Sequence, residues 1–157
     1  MEPKRKYGDC EIVEATSEHV IELKDNLRHH DALECLLLGS DPESAMAHAL
    51  ETDLATYTAL NSEGKAFGMF GVGPIVGTTT GYIWFLGTPE VNKHRRAFIR
   101  ASRDWVNFLS EPYEATANVV LKDNKVAVRW LKFCGATFIR EIEVSGQSFY
   151  EFIITPN

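Results

Sequence analysis

The sequence is poor in the features that mark several classes of protein. It contains three cysteines, Cys10, Cys35 and Cys134, and they form neither a CxxC motif nor a Cys/His metal-binding spacing. We therefore expect reduced thiols, a cytosolic setting and no metal site. No apolar run reaches the roughly 18 residues of a membrane span, and none near the start has the pattern of a signal peptide. These absences predict a soluble protein without a membrane partner.

Positive charge is also scarce. The 16 Lys and Arg residues are outnumbered by 22 Asp and Glu residues, which gives a formal net charge of −6. A general nucleic-acid-binding protein carries a basic surface, so we expect no nucleic-acid partner. With 45% hydrophobic residues, the composition is that of an ordinary globular protein. The length predicts a single domain over residues 1–157, with residues 1–9 as a loose lead-in.

A local concentration of positive charge nonetheless follows an apolar stretch in the middle of the chain. Residues 82–86 have the composition of a buried strand, and residues 87–90 interrupt it. The run 92–97 then opens a helix that is predicted to continue to about Leu109. The apolar residues of this helix share one face because they recur every three or four positions; they are Phe98, Ala101, Trp105 and Phe108.

The start of this predicted helix is unusual because it carries Lys93, His94, Arg95 and Arg96. Cations near a helix N-terminus are typically unfavourable by about 0.3–1 kcal/mol each. A bound anion would reverse that effect, since free backbone N–H groups and cationic side chains would converge on it. Two interpretations remain open at this stage. The run either binds an anion, such as the diphosphate of a nucleotide-like cofactor, or forms a solvated basic helix face.

The remaining pattern predicts one α/β (α+β) domain. Its mixed, mostly antiparallel sheet has about seven strands, and it has about four helices. The passage from strand 82–86 through the long helix to strand 113–121 should be a parallel, right-handed crossover. Residues 28–31 interrupt the helical pattern and are predicted to form a polar loop between helices. The other predicted strands are 10–15, 54–60, 65–72, 138–144 and 147–155, and two of the other predicted helices lie within 16–27 and 124–135. A further helical run at 32–38 ends at Gly39 and is restarted over 41–50 by Asp41 as N-cap and Pro42 at the first helical position.

The order of elements and one motif resemble the Gcn5-related N-acetyltransferase (GNAT) family. That family shows Asn, two residues, Ala, two residues, an aliphatic–Tyr pair, and Gly four residues after the Tyr. The same spacing occurs here at Asn124, Ala127, Trp130, Leu131 and Gly135. A GNAT-like family of tailed bacteriophages, which includes the gene 13 internal virion proteins of T7-like phages, is similar in five further segments: 67–72, 84–88, 95–98, 102–106 and 128–132.

The resemblance implies a phage-encoded N-acetyltransferase that uses acetyl-CoA and acts on a small-molecule or protein amine in the host cytoplasm. It implies that the cofactor lies in a V-shaped gap between two strands and that its pantetheine pairs with the backbone there. It places the pyrophosphate on the N–H groups of the following run, and the motif adds one Asn. The implied cofactor-binding residues are Phe85, Leu86, Gly87, Asn92, Lys93, His94, Arg95, Arg96, Ala97 and Asn124.

The sequence departs from the GNAT pattern at two positions that are functional in that family. Arg95 stands where the pyrophosphate loop has a glycine, and Leu131 stands where a tyrosine commonly protonates the leaving thiolate. The catalytic residues are therefore not identified, and the candidates are Glu90, His94 and Cys134. The alternative implied function is a non-catalytic protein of the GNAT fold. Such a protein would act in virion assembly, inside the virion, or by binding a host protein.

Overall fold

The computed structural model describes residues 1–156, which form one sheet of eight strands, five α-helices and a short 3₁₀ helix. This confirms the predicted fold class, with one strand and one helix more than the predicted counts. The strands are β1 Lys6–Tyr7, β2 Cys10–Glu14, β3 Ala55–Leu60, β4 Ala66–Pro74, β5 Thr80–Gly87, β6 Ala115–Leu121, β7 Thr137–Val144 and β8 Gln147–Ile154. The helices are α1 Ser17–Leu23, α2 His29–Leu37, α3 Pro42–Thr52, α4 Arg95–Ser110 and α5 Lys125–Phe133, and the 3₁₀ helix is Pro89–His94.

The strands lie in the order β1-β2-β3-β4-β5-β6-β8-β7, and β5 with β6 is the parallel pair within residues 1–156. The predicted parallel crossover through α4 is thus confirmed. The two strands are joined only at Thr80–Ala115, Gly81–Thr116 and Tyr82–Ala117. Beyond this point β5 still pairs with β4 and β6 with β8, but the two strands no longer pair with each other. The middle of the sheet therefore opens into a gap between β5 and β6.

Helices cover both faces of the sheet, and the side chains of β5 alternate between these two faces. Ile83 and Phe85 pack in the main core with α4 and α5, in which Trp105 is 3% exposed. Trp84 and Leu86 pack on the opposite face, in the cluster formed by α1 and α3. Within residues 1–156, none of the helices is both long and apolar enough to cross a bilayer.

Two local predictions near the start of the chain are wrong. Residues 1–9 are not only a loose lead-in, since β1 pairs with β2 and Tyr7 is 3% exposed in the main core. A strand of two residues has no alternation that a pattern could reveal. Residues 28–31 are not a loop, because α2 begins at His29. Asp31 is buried in the first turn of this helix, where tertiary contacts stabilise it.

The connection between β5 and α4 also differs from the prediction of an interruption followed by a helix from residue 92. The 3₁₀ helix begins after Thr88, whose hydroxyl accepts the N–H of Glu90 at 3.2 Å. Pro89 follows at the first helical position, where its fixed φ is favourable. In a 3₁₀ helix the later N–H groups donate to carbonyls three residues earlier. Lys93 and His94 are the last residues of the 3₁₀ helix, and the α-helix starts at Arg95.

Candidate functional site

The unpaired parts of β5 and β6 border a cavity of about 580 Å³. Phe98 and Trp130 line it on the α4–α5 side of the sheet, and Tyr82 and Trp84 line it on the α1–α3 side. Residues from both faces of the sheet thus line one cavity between the strands. A reaction between two substrates requires that they be held next to each other, and a cavity between two strands can serve this purpose.

The side chain of Asn118 lies where the two strands part, one residue after the last paired position. Its Nδ2 donates to the carbonyl oxygen of Ile83 at 2.7 Å, and its Oδ1 accepts the N–H of Val119 at 2.6 Å. The amide thus takes the place of the next ladder hydrogen bond between β5 and β6. Sequence reasoning missed this residue, although a lone Asn within the apolar strand Ala115–Leu121 was a usable signal.

The backbone of β5 presents alternate residues to the gap. Successive residues of a strand direct their N–H and C=O groups to opposite edges. The carbonyl of Ile83 and the N–H of Gly87 both point away from β4, because Asn118 and Asp31 bind them there. The N–H and C=O of Phe85, which lies midway between them, therefore also face the gap. This places one of the predicted pantetheine partners in a position suited to that role.

Gly87, the other β5 residue facing the gap at this end, is already bonded by the start of α2. Its N–H donates to Asp31 Oδ2 at 2.8 Å, and its carbonyl accepts the N–H of Arg28 at 2.8 Å. The Arg28 guanidinium donates to the same Asp31 oxygen from Nε at 3.1 Å and from Nη2 at 2.8 Å, and lies 5.6 Å from the Phe85 ring centroid. Burial raises the pKa of Asp31, whereas Arg28 and the Gly87 N–H oppose that shift.

One turn further along α2, Glu34 reaches the opposite border of the gap. Its Oε1 accepts the N–H of Leu121 on β6 at 2.9 Å. Burial raises the pKa of Glu34 to about 7, although the hydrogen bonds from Leu121 and Asn124 act in the opposite direction. Residues three apart lie on the same face of a helix. Asp31 and Glu34 together therefore span the gap from β5 to β6, and we call this pair the α2 bridge.

The start of α4 presents exposed cations near the same cavity. Asn92 and Arg95 line the cavity, and Lys93 and Arg96 lie beside it on the exposed surface. Within residues 1–156, none of these three cations forms an ion pair, and α4 has neither an acidic residue in its first turn nor a side-chain cap. The positive end of the helix and its cations thus remain available to an anion.

Two of the candidate catalytic residues, Glu90 and His94, bind each other. His94 Nε2 lies 3.0 Å from Glu90 Oε2, and Asn61 Nδ2 donates to the same oxygen at 2.9 Å. The His94 ring also packs 4.7 Å from the centroid of Phe67. These contacts fasten the 3₁₀ helix to β4 and give both side chains a structural role. Their catalytic assignment stays a prediction.

His94 also lies near two other potential metal ligands. One ligand atom each from Asp9, Cys10 and His94 lies within 4.8 Å of the others. The Cys10 thiol donates to Asp9 Oδ1 at 3.8 Å, and burial raises its pKa to about 11. The thiol therefore stays protonated at neutral pH, and the hydrogen bonds of Cys10 and His94 already account for the grouping.

The third catalytic candidate, Cys134, packs in the main core beside α5. Burial raises the pKa of its thiol to about 12, so it is a very weak acid. Leu131, which stands in the place of the family tyrosine, is 7% exposed in the same core. Leu131 lines the described cavity but has no proton to donate, and Cys134 is not among the lining residues. The structure thus offers no alternative to the missing tyrosine in this region of α5.

All ten predicted cofactor residues lie in the described part of the chain, and seven of them line the cavity: Phe85, Leu86, Asn92, His94, Arg95, Ala97 and Asn124. Gly87, Lys93 and Arg96 lie outside that lining. Arg28, Asp31, Glu34 and Asn118 complete the site, and of these only Arg28 and Asp31 fell in a segment that the sequence analysis had singled out. No periodic pattern indicates their partners, because each one binds a backbone group on a distant element.

These residues fit acetyl-CoA at the start of α4 and at Phe85, two of the places that the resemblance implies. Asn92 and Arg95 offer donors for phosphate at the start of α4, and the Phe85 backbone faces the gap where an amide could pair. At Gly87 the fit requires a rearrangement, because the α2 bridge and Arg28 occupy both backbone groups.

Solved structures of acetyltransferases share this fold. A GNAT-family acetyltransferase from Bacillus anthracis matches over 96% of both chains, with 13% identity and a TM-score of 0.69. Ard1 from Thermoplasma volcanium matches over 95% of this chain and 99% of its own, with 10% identity and a TM-score of 0.72. AAC(6')-Ib in complex with ribostamycin and coenzyme A matches over 94% and 93%, with 12% identity and a TM-score of 0.68. At such low identities the likeness establishes the fold alone.

No curated protein matches the chain. Residues 65–143 do match a protein family, and this half of the chain runs from β4 to β7 and contains both borders of the gap. The chain therefore belongs to the family described as bacteriophage T7, probable scaffold protein Gp13.

Proposed function

We propose that this phage protein is an N-acetyltransferase that binds acetyl-CoA between β5 and β6. It would transfer the acetyl group to a small-molecule or protein amine that enters from the α1–α3 side, in the host cytoplasm or associated with the virion. The observation that carries the proposal is the parting of the two strands after Tyr82 and Ala117, which leaves a cavity lined by residues from both faces of the sheet.

The residues that would hold the cofactor lie in two regions, the start of α4 and the edge of β5 that faces the gap. Arg95 and Asn92 would bind the phosphates, since the planar guanidinium of Arg offers two parallel donors to phosphate oxygens. This side-chain binding would replace the close backbone approach that the family glycine permits. The carbonyl oxygen of Phe85 would accept from a pantetheine amide, and Asn124 lines the cavity on the β6 side.

Bound acetyl-CoA would supply an acetyl thioester. The transfer forms a bond between the amine nitrogen and the acetyl carbon, breaks the carbon–sulfur bond, moves one proton off the nitrogen and places one on the sulfur. The Phe85 N–H faces the gap and can donate to the acetyl oxygen as charge develops there. Glu34 can accept the amine proton, because its pKa of about 7 suits a general base at neutral pH.

Calorimetric titration with acetyl-CoA tests this function. We expect binding to the wild-type protein, and a 10- to 100-fold weaker affinity for the variant carrying Arg95→Glu and Arg96→Glu, because a hydrogen bond to a charged group contributes about 1.5–3 kcal/mol. Arg100→Glu, an exposed change one turn further along α4, is the matched control and should keep the wild-type affinity within about threefold.

Two results would count against the proposal in different ways. The absence of heat and of a thermal shift at millimolar acetyl-CoA would refute the transferase. Binding that survives the double charge reversal would refute the phosphate site at α4 and leave the transferase to be explained by other residues.

A second candidate function, a non-catalytic role in virion assembly or in binding a host protein, is favoured by separate observations. The family that the chain belongs to is described as a scaffold protein. Arg95 and Leu131 stand where the GNAT pattern has a glycine and a tyrosine. The N–H of Gly87 is already hydrogen-bonded to Asp31 within the protein. Folded protein that binds no acetyl-CoA, either in the wild-type form or after changes at α2, would favour this second function.

A further inference from the structure

The α2 bridge occupies hydrogen-bonding positions that a ligand in the gap would need. Where β5 and β6 part, the backbone groups on their facing edges lose their strand partners, and buried groups of this kind require others. Asp31 accepts from Gly87 on β5, and Glu34 accepts from Leu121 on β6. One helix thus satisfies both edges of the gap from within the chain.

The bond at Gly87 is the more restrictive of the two. Its N–H is held by a side chain that is 5% exposed, and its carbonyl is held by the N–H of Arg28. An extended ligand chain that pairs with β5 needs backbone groups directed towards the gap, and Gly87 and Phe85 are the neighbouring residues that provide them. A ligand can therefore pair along this edge past Phe85 only after the start of α2 has moved away from Gly87.

We propose that α2 closes the gap in the resting protein, and that a CoA-type ligand binds by displacing Asp31 and Arg28 from Gly87. This inference rests on the proposed function in so far as it assumes that the ligand's amide groups pair with β5. The bridge then acts as an intramolecular competitor. The apparent association constant equals the intrinsic association constant multiplied by the fraction of molecules in which α2 is open.

The contacts around the bridge indicate which part of the molecule moves. Arg28 donates twice to Asp31 and lies over the Phe85 ring, so these two residues can leave Gly87 together as a neutral pair. Glu34 sits one turn later and is bound to β6 rather than to β5. The opening therefore requires a displacement of the first turn of α2, and the sheet and α4 can keep their positions.

Calorimetric titration with coenzyme A, which lacks the acetyl group, tests the competition in the full-length chain. Asp31→Ala removes the acceptor from Gly87, and we expect it to bind coenzyme A at least tenfold more tightly than the wild-type protein. Glu43→Ala is the control, because this exposed α3 carboxylate pairs with Lys24 and not with the gap. The control should bind with wild-type affinity.

Hydrogen exchange supplies a second readout that does not depend on activity. We expect the Gly87 amide to exchange slowly in the wild-type protein and at least tenfold faster in Asp31→Ala, while amides in the middle of α4 keep their rates in both. Arg28→Gln serves if Asp31→Ala does not fold. It removes the charge partner and leaves the Asp31 carboxylate in place, and it should also increase exchange at Gly87 and tighten coenzyme A binding.

The possible outcomes separate this inference from the proposed function. Equal coenzyme A affinity in the wild-type protein and the bridge variants would overturn the competition and leave the transferase standing. Absence of binding in every variant would overturn both. Tighter binding in Asp31→Ala or Arg28→Gln, with unchanged binding in Glu43→Ala, would support both.

Discussion

The two helix starts that face the gap, those of α4 and α2, use charge in opposite ways. The start of α4 carries Arg95 and Arg96, both exposed and without an ion pair among the described residues. The start of α2 carries Arg28 and Asp31, which bind each other and the backbone of Gly87. Charges at α4 are thus available to a molecule from outside, and those at α2 already have partners inside the chain.

The difference teaches that a charged cluster at a helix start has no fixed meaning in a sequence. An exposed cation remains hydrated and loses little when no ligand is bound. A buried carboxylate must recover a desolvation cost of several kcal/mol from its partners, so removing one partner is expensive. The comparison predicts that changes at α2 destabilise the folded protein and that changes at α4 do not.

The largest effect on stability is expected at Asp31. Asp31→Ala should lower the free energy of unfolding by roughly 2–3 kcal/mol, below the 3–5 kcal/mol of a fully buried pair because Arg28 is partly exposed. Urea denaturation measures this change. The exposed Glu43→Ala should cost less than about 1 kcal/mol. Equal losses in the two variants would contradict the distinction between internal and surface pairs.

Glu34 should make stability depend on pH. Its pKa in the folded protein is about 7, above the ordinary value of 4.5, so the folded state holds the proton more tightly than the unfolded state. Stability should therefore fall as pH rises from about 4.5 to 7, by an amount on the order of 2 kcal/mol. Denaturation curves at several pH values should show a shallower slope for Glu34→Gln. An unchanged slope would show that other groups cause the dependence.

Asn118 should contribute a smaller amount at the point where the strands part. Asn118→Ala leaves the Ile83 carbonyl without its donor and the Val119 N–H without its acceptor, and it should cost about 1–2 kcal/mol of unfolding free energy. Thermal unfolding followed by circular dichroism measures the loss. Thr79→Ala, which removes an exposed side-chain hydrogen bond to Glu114, provides the comparison and should have little effect.

The smallest effect, and the one of opposite sign, is expected at α4. Arg96→Glu replaces a cation with an anion at the positive end of the helix and should stabilise the ligand-free protein by about 0.3–1 kcal/mol. The same change at Arg100, one turn away, should be close to neutral. Differential scanning fluorimetry without ligand distinguishes them. Destabilisation by Arg96→Glu would show that the folded protein itself uses this charge.

Sequence reasoning succeeded where the relevant contacts are local. The period of Phe98, Ala101 and Trp105 indicated α4, and Asp41 before Pro42 indicated the start of α3, where Asp41 Oδ1 accepts the N–H of Ser44. The parallel crossover followed from the length of the connection. Each of these features depends on neighbours within a few residues or on a general topological rule.

It failed where one side chain meets a distant backbone group. The bond from Gly87 to Asp31 joins residues 56 positions apart, and that from Leu121 to Glu34 joins residues 87 positions apart. Nothing in the local pattern around Glu34 distinguishes it from an exposed helix residue. The cations of α4 could be recognised because their unusual position is a local feature. Arg28 and Asp31 could be recognised only as part of a polar segment, and Glu34 could not be recognised at all.

The hydrogen bonds of the Asn118 side chain make the parting of β5 and β6 a property of the chain itself. The Asn118 amide donates to one backbone group of the chain and accepts from another, so β5 and β6 part at the same residue whether or not a ligand lies between them. The shape of the sheet therefore does not depend on a ligand. Related proteins can gain or lose chemistry between these strands and keep the same fold.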